Sequence, residues 1–297
     1  MANLRDIRNR IQSIKNTQQI TKAMKMVAAA KLRKAQNRMI ATRPYAKKMR
    51  EVVVRLVSAG KVDNPLLRKP EEVDRIAMVI VGSDRGLCGA FNNNLFRKVE
   101  NEISDLYKEY HKENRLDLIT IGKKASGYFS KRDYNVIEKY PGFFDSLDYE
   151  ETSAIMRSLT DQFAVGDYDK ILVAYNEFKT VISQNRLIVE LLPIDESSMD
   201  EPVQDLSDKN MDYIYEPDPE QILDSLLPVH LNVQLWRAVL ESNAAEQGAR
   251  MAAMDNATEN AKELEQDLRL EYNQARQSAI TTEISEIVSG AAALEDK

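Results

Sequence analysis

The sequence predicts an α/β protein with long helices added, in which the N- and C-terminal segments form an antiparallel coiled coil around a central α/β domain. Three observations lead there. From Ala2 to Ala59 the chain has no glycine and one proline, Pro44, with aliphatic residues at helical spacing. The final third repeats that texture. Between them lie short aliphatic runs separated by turns and amphipathic stretches, the pattern of alternating strands and helices.

In the first segment, Leu4, Ile7, Ile11 and Ile14 follow the 3-4-3 spacing of a heptad seam. The stripe resumes at Ile20, Met24 and Val27, then at Ala28, Leu32, Ala35 and Met39. That is a shift by one position, with polar Asn16, Thr17 and Gln18 in the gap. A continuous helix over 1–59 would be roughly 85 Å long at 1.5 Å per residue, beyond what a small globular part can pack along its length. Pro44 removes one backbone hydrogen bond and predicts a bend there.

The middle, 70–197, reads as a mostly parallel, Rossmann-like sheet with helices on its faces. Strands are predicted at Arg75–Gly82, Leu116–Gly122 and Lys170–Phe178, and in the stretch from Val181 to Ile194, with Asn135–Tyr140 a further candidate. The last two are expected to be antiparallel neighbours, because only a few residues join them. Helices are expected from Leu95 to about Glu113, over 124–131 and over 152–165. An acidic linker, 198–218, carries Pro217. Pro219 suits a first helical turn, and helix character then runs over 219–294. Its apolar positions include Leu235, Val239, Met251, Met254, Ala257, Ala261, Leu264, Leu268, Tyr272, Ala275, Ile280, Ile284 and Ile287, interrupted by Pro228 and Gly248. Two terminal helices could instead fold back as a bundle. The long α/β stretch between them argues for a projecting pair.

Charge supports the pairing. Residues 1–60 hold fifteen Lys/Arg against two acids, Asp6 and Glu51, and residues 201–297 hold seven against twenty. A basic head and an acidic tail can attract each other or outside partners. The chain is 43% apolar and 30% charged, with no run approaching the ~20 apolar residues of a membrane span. No signal-peptide block is expected at the start. One cysteine, Cys88, excludes an internal disulfide, and two distant histidines, His111 and His230, leave little for a metal site.

Catalytic motifs are missing. The loop after the first strand, Gly82-SDRGLCG, matches neither G-x-G-x-x-G nor the phosphate loop G-x-x-x-x-G-K-[ST], and Asp117 stands where the latter would need glycine before Gly122-Lys123-Lys124. The loop is expected to be a tight strand-to-helix turn braced by Asp84 and Arg85. Cys88 reads as a buried apolar residue and His111 as solvated surface. His230 has no nucleophile beside it, and Ser126 lacks the nucleophile-elbow spacing. No catalytic, cofactor-binding or metal-binding residue is assigned. The basic head lacks aromatic residues before Tyr45 to stack on bases or anchor in a bilayer, which weighs against nucleic acid and membrane partners.

Three separated stretches go further than pattern: QQITKAMKMVAAAKLRKAQ from Gln18, SDRGLCGAFN from Ser83, and YNQARQSAITTEISEIVSGAAAL from Tyr272. In that order they resemble the gamma-subunit family of bacterial F-type ATP synthases, and the resemblance spans essentially the whole chain. It implies a central rotating stalk with no active site of its own, coupling proton flow through the membrane sector to ATP synthesis or hydrolysis. The implied partners are a ring of alpha and beta subunits, the epsilon subunit and the c-subunit ring, with MgATP or MgADP held by alpha and beta. The implied location is peripheral, on the cytoplasmic face of the bacterial inner membrane, reached only through partners.

By that resemblance, Lys22, Met24 and Lys25 face an acidic loop of beta. Arg250, Arg276, Gln277, Thr281 and Glu283 are implied contacts with alpha and beta loops. The small apolar end, with Ile287, Val288, Gly290, Ala291 and Leu294, is implied to be a bearing. Two readings from other classes are a coiled-coil scaffold or nucleic-acid adaptor using the basic helix, and an α/β enzyme with helical arms.

Overall fold

The computed structural model describes residues 4–59, 64–181, 183–194, 216 and 218–295, with the side chains of 58, 59 and 292–295 excepted. The expected linker 198–218, apart from residues 216 and 218, lies outside the described residues, as does Pro217. The elements run α1 (Leu4–Ala59), a 3-10 turn (Pro65–Leu67), β1 (Ile76–Val81), α2 (Phe91–Leu106) and α3 (Lys108–Lys112). There follow β2 (Leu116–Ile121), α4 (Lys123–Phe129), β3 (Asn135–Tyr140), α5 (Phe143–Ser146), α6 (Tyr149–Val165), β4 (Lys170–Phe178), β5 (Gln184–Leu192) and α7 (Pro219–Glu295). α1 passes through Pro44 as one helix, and α7 passes through Pro228 and Gly248. Pro219 opens α7, where the preceding Asp218 accepts the amide of Gln221 at 2.9 Å and caps the first turn.

The sheet has the order β3-β2-β1-β4-β5. β1 pairs in parallel with β2 and β4, β2 in parallel with β3, and β4 antiparallel with β5, as the short connection requires. β1 and β2 are buried along their whole length, which is why they read as aliphatic runs rather than as alternating strands. Edge strand β3 alternates exposed and half-buried instead.

Packing divides the chain into two compact units that cut across the elements: 1–28 with 251–297, and 29–250. In the larger unit, α2 and α4 cover one sheet face, placing Leu95, Phe96, Val99 and Phe129 on Met78, Ile80 and Leu118. On the other face α6 supplies Ile155, Met156 and Phe163, α1 supplies Met49, Val53 and Leu56, and α7 supplies Leu223, Leu227, Leu231 and Leu235. The inner portions of both terminal helices are therefore one layer of the α/β core. Each such fully buried aliphatic side chain is worth about 1.5–3 kcal/mol.

In the smaller unit the two helices run antiparallel. The side-chain pairs Arg8–Tyr272, Lys15–Glu265, Thr21–Thr258 and Lys25–Asp255 all link positions whose numbers add to 279 or 280. The expected shift of the seam is not there. Leu4, Ile7, Ile11, Ile14, Gln18, Thr21, Lys25 and Ala28 keep an unbroken 3-4 spacing and are buried or half-buried. Ile20 and Val27 point outward, 59% and 57% exposed. Of the three polar seam residues, Thr21 and Lys25 are met by polar partners on α7, Thr258 and Asp255, which apolar periodicity alone cannot register. For the same reason Leu264, expected in the seam, is exposed, while Glu265 beside it is half-buried and pairs with Lys15 and Arg269.

Candidate partner interface

Opposite the described start of α1 at Leu4 stands residue 276 of α7, by the same register. From 276 to 291 every residue of α7 is exposed. The exposed 276–291 stretch is about 24 Å of helix. It carries exposed Ile280, Ile284, Ile287 and Val288, spaced i, i+4, i+7, i+8 on one face. A helix bare on all sides, with four large aliphatics aligned, has the composition of a contact element rather than of solvated surface.

The polar part of the seam is well satisfied. Thr21 and Thr258 hydroxyl oxygens lie 2.7 Å apart, and Lys25 Nζ is 2.5 Å from Asp255. Lys15 and Lys25 thus place part of the basic head against the acidic tail, as the charge pattern predicts, and those charges are shared within the chain.

In the larger unit, the β1–α2 loop is filled by its own side chains. Asp84 accepts the amides of Lys123 (2.9 Å), Gly142 (2.7 Å) and Phe144 (2.9 Å), so a carboxylate of the chain itself occupies amides that open α4 and α5. Asn92 accepts the Ser83 amide and donates to the Ser83 hydroxyl. A Cβ on Gly82 would lie 2.8 Å from that of Ala125, so the glycine serves close packing of α4 on the strand. Arg250 of α7 donates to the carbonyls of Arg85 and Gly86 at 3.2 Å each and pairs with Glu246 at 2.6 Å. Burial pushes the Glu246 carboxyl up. The loop's tip, Leu87, is 66% exposed and has a left-handed φ of 62°.

The remaining reactive groups have structural surroundings. Cys88 is buried under the loop, and burial raises its thiol above the ordinary range. Ser126 bonds Thr120 and the Gly122 carbonyl. His111, expected on the surface, is half-buried with its ring 4.9 Å from that of Tyr134, because α3 folds back toward the end of α4. His230 lies beside a cleft of about 580 Å³ between β4, β5 and α7, which Tyr175, Glu177 and Arg237 also line. Burial, aided by Arg50, pushes His230 down to about 4, so it is neutral at pH 7.

Comparison with known proteins decides the family. A family model described as ATP synthase matches residues 3–294. A gamma chain of ATP synthase from Chloroherpeton thalassium is 50% identical over 303 residues, covering 99% of each chain, and one from Prosthecochloris aestuarii is 51% identical over 299 residues with the same coverage. The chain belongs to the ATP synthase gamma-chain family. Among solved structures, the central stalk and c-ring structure of the Tetrahymena thermophila mitochondrial ATP synthase contains a chain 27% identical, with a TM-score of 0.58, covering 80% of this chain and 99% of that one. A chain of the Euglena gracilis mitochondrial enzyme, 21% identical with a TM-score of 0.64 over 98% of this chain and 94% of that one, shares the fold.

As a gamma-family member this chain is a central-stalk subunit of an F-type ATP synthase, and ATP synthesis and ion transport follow from that complex. Among the described residues, no helix is long and apolar enough to cross a membrane. Of the positions the resemblance implied, Lys22, Arg276, Gln277, Thr281 and Glu283 are exposed, as are Ile287, Val288, Gly290 and Ala291. Leu294 lies in α7, with its side chain outside the described residues. Met24 and Lys25 are half-buried at the seam's edge. Arg250 is turned inward, its side chain 11% exposed, and is engaged by Glu246 and the loop carbonyls. Sequence reasoning missed Thr21, Asp255 and Thr258. Their signal was present in Gln18, Thr21 and Lys25, three polar residues that keep the seam's spacing.

Proposed function

We propose that this chain is the rotating shaft of its ATP synthase and holds no active site of its own. The c-subunit ring, driven by protons, turns the larger unit, which also bears the epsilon subunit. The smaller unit turns inside a ring of alpha and beta subunits that hold MgATP and MgADP. The chain itself binds no nucleotide or metal, and it reaches the cytoplasmic face of the bacterial inner membrane only through partners.

The observation that carries this reading is the bare end of α7, with Ile280, Ile284, Ile287 and Val288 exposed on one helix face. Apolar contacts are non-directional. A sleeve around that end could hold it on axis without favouring one angle, whereas ion pairs would lock it. Torque needs the opposite: a surface that differs from side to side, so that chemically identical beta subunits meet different contacts. A bound element shifts an equilibrium only through such differences. α1 offers cationic Lys22 and exposed Ile20 and Val27 beside half-buried Met24, suited to an acidic loop of beta. α7 offers Arg276, Gln277, Thr281 and Glu283 to alpha and beta loops.

The test is MgATP hydrolysis by purified alpha and beta subunits, with and without this chain, and by the chain alone. The reading expects an inactive chain that markedly raises turnover of the mixture. Turnover by the isolated chain, or no assembly with alpha and beta, overturns it.

A further inference from the structure

The seam of the smaller unit is one of two that the sequence offers. Ile20, Met24 and Val27 have the same 4-3 spacing as Thr21, Lys25 and Ala28 and stand one position ahead of them. Successive residues of an α-helix are turned by about 100°. Turning this stretch of α1 by one position would bury two aliphatics and a methionine in place of a threonine, a lysine and an alanine. Apolar burial alone favours that arrangement. The chain adopts the other.

What opposes the turn is a polar set matched across the two helices. Thr21 is 8% exposed, and its hydroxyl meets that of Thr258 at 2.7 Å. Thr258 Oγ1 in turn lies 2.7 Å from the Met254 carbonyl. Thr21 Oγ1 likewise lies 3.1 Å from the Gln18 carbonyl, so one hydroxyl donates to a carbonyl of its own helix while the other donates across the seam, and both protons are satisfied. Lys25 meets Asp255 at 2.5 Å. Turning α1 would face the Thr258 hydroxyl with an aliphatic side chain and part the ion pair. A buried polar group left without its partner is heavily penalised, which is how single polar seam positions specify the register of coiled coils.

We propose that the Thr21–Thr258 hydrogen bond and the Lys25–Asp255 ion pair are a rotational lock that holds Ile20 and Val27 outward and Met24 at the seam's edge. These four are positioning residues: together they fix which face of α1 the catalytic subunits meet. The functional half of this statement rests on the shaft reading above, whereas the lock itself is a property of this chain.

The test uses the full-length chain with Cys88→Ala, carrying a single cysteine at Ile20 or Val27 and labelled with a small maleimide. With the lock intact, labelling runs at the rate of an exposed helical thiol. With Thr21→Val, Lys25→Leu and Thr258→Val combined, labelling at both sites slows about tenfold or more, as expected when a site passes from exposed to protected. The thermal midpoint stays level or rises. Thr21→Ser with Thr258→Ser, which keeps both hydroxyls, retains fast labelling. Should the triple variant fail to fold, Thr21→Val alone must still slow labelling at Val27→Cys.

Unchanged labelling in the apolar variants overturns the lock. If labelling slows while complexes assembled with alpha and beta keep normal proton coupling, the lock stands and the partner reading of this face falls.

Discussion

The guanidinium of Arg250 lies 2.6 Å from the carboxylate of Glu246, a pair with side chains only 11% and 5% exposed. The same guanidinium holds the carbonyls of Arg85 and Gly86. Arg250→Ala would leave Glu246 buried without its cation, a change that costs about 3–5 kcal/mol. Burial already raises the Glu246 carboxyl, and removing Arg250 raises it further. A raised carboxyl stabilises the fold below its unfolded value, and that stabilisation is lost as pH rises through the folded value. The loss in Arg250→Ala should therefore be largest at pH 7–8 and shrink toward pH 4. Urea unfolding across that range checks it, and an equal loss at every pH would contradict it.

His230 gives the opposite pH dependence. Its pKa is depressed to about 4 by burial, so its contribution is present above about 6.5 and is lost as pH falls toward 4. Between pH 7 and pH 5 this one group should cost about 2 kcal/mol. His230→Gln should flatten that part of the stability profile. A slope unchanged by the substitution would place the acid sensitivity elsewhere.

Leu87 holds a left-handed backbone while exposing most of its side chain. Leu87→Gly removes a strain of about 1 kcal/mol and loses little packing, against an unfolded-state entropy cost of similar size. The thermal midpoint of the chain should move by no more than a few degrees in either direction. A large drop would mean that the leucine side chain supports the loop.

Met24→Lys would place a third cation beside Lys22 and Lys25, on the face proposed to meet an acidic loop of beta. MgATP hydrolysis by the assembled complex should be largely retained while proton pumping per ATP falls. Normal coupling would remove Met24 from the contact face.

Arg276 and Gln277 are exposed on α7, opposite the described start of α1. Replacing both with alanine should leave the isolated chain's stability within about 0.5 kcal/mol, as for surface sites, yet weaken assembly or turnover with alpha and beta. Wild-type behaviour in the complex would make them solvated surface.

Much of this was legible in the sequence, for physical reasons that differ by element. β1 and β2 announced themselves because strands buried on both faces must be aliphatic throughout. Asp84 was readable as a brace because a glycine-rich turn leaves amides that some acceptor must satisfy. The seam of the smaller unit was misread at Ile20 and Val27, since apolar spacing scores aliphatics and ignores a threonine pair that is equally at home in a seam. The inward turn of Arg250 was hidden for another reason. Its partners, Glu246 one turn earlier and the carbonyls of a loop some 165 residues away, meet only once the sheet is formed. The family motifs carried the partner assignments, which periodicity could not supply.

The most direct measurement is rotation itself. With the alpha–beta ring fixed to a surface and a bead tethered to an exposed cysteine placed on α2, in a Cys88→Ala background, MgATP is added. The account predicts continuous one-way turning of the bead in equal steps, one for each beta subunit. A bead that stays at one angle while the same complexes hydrolyse ATP would contradict it.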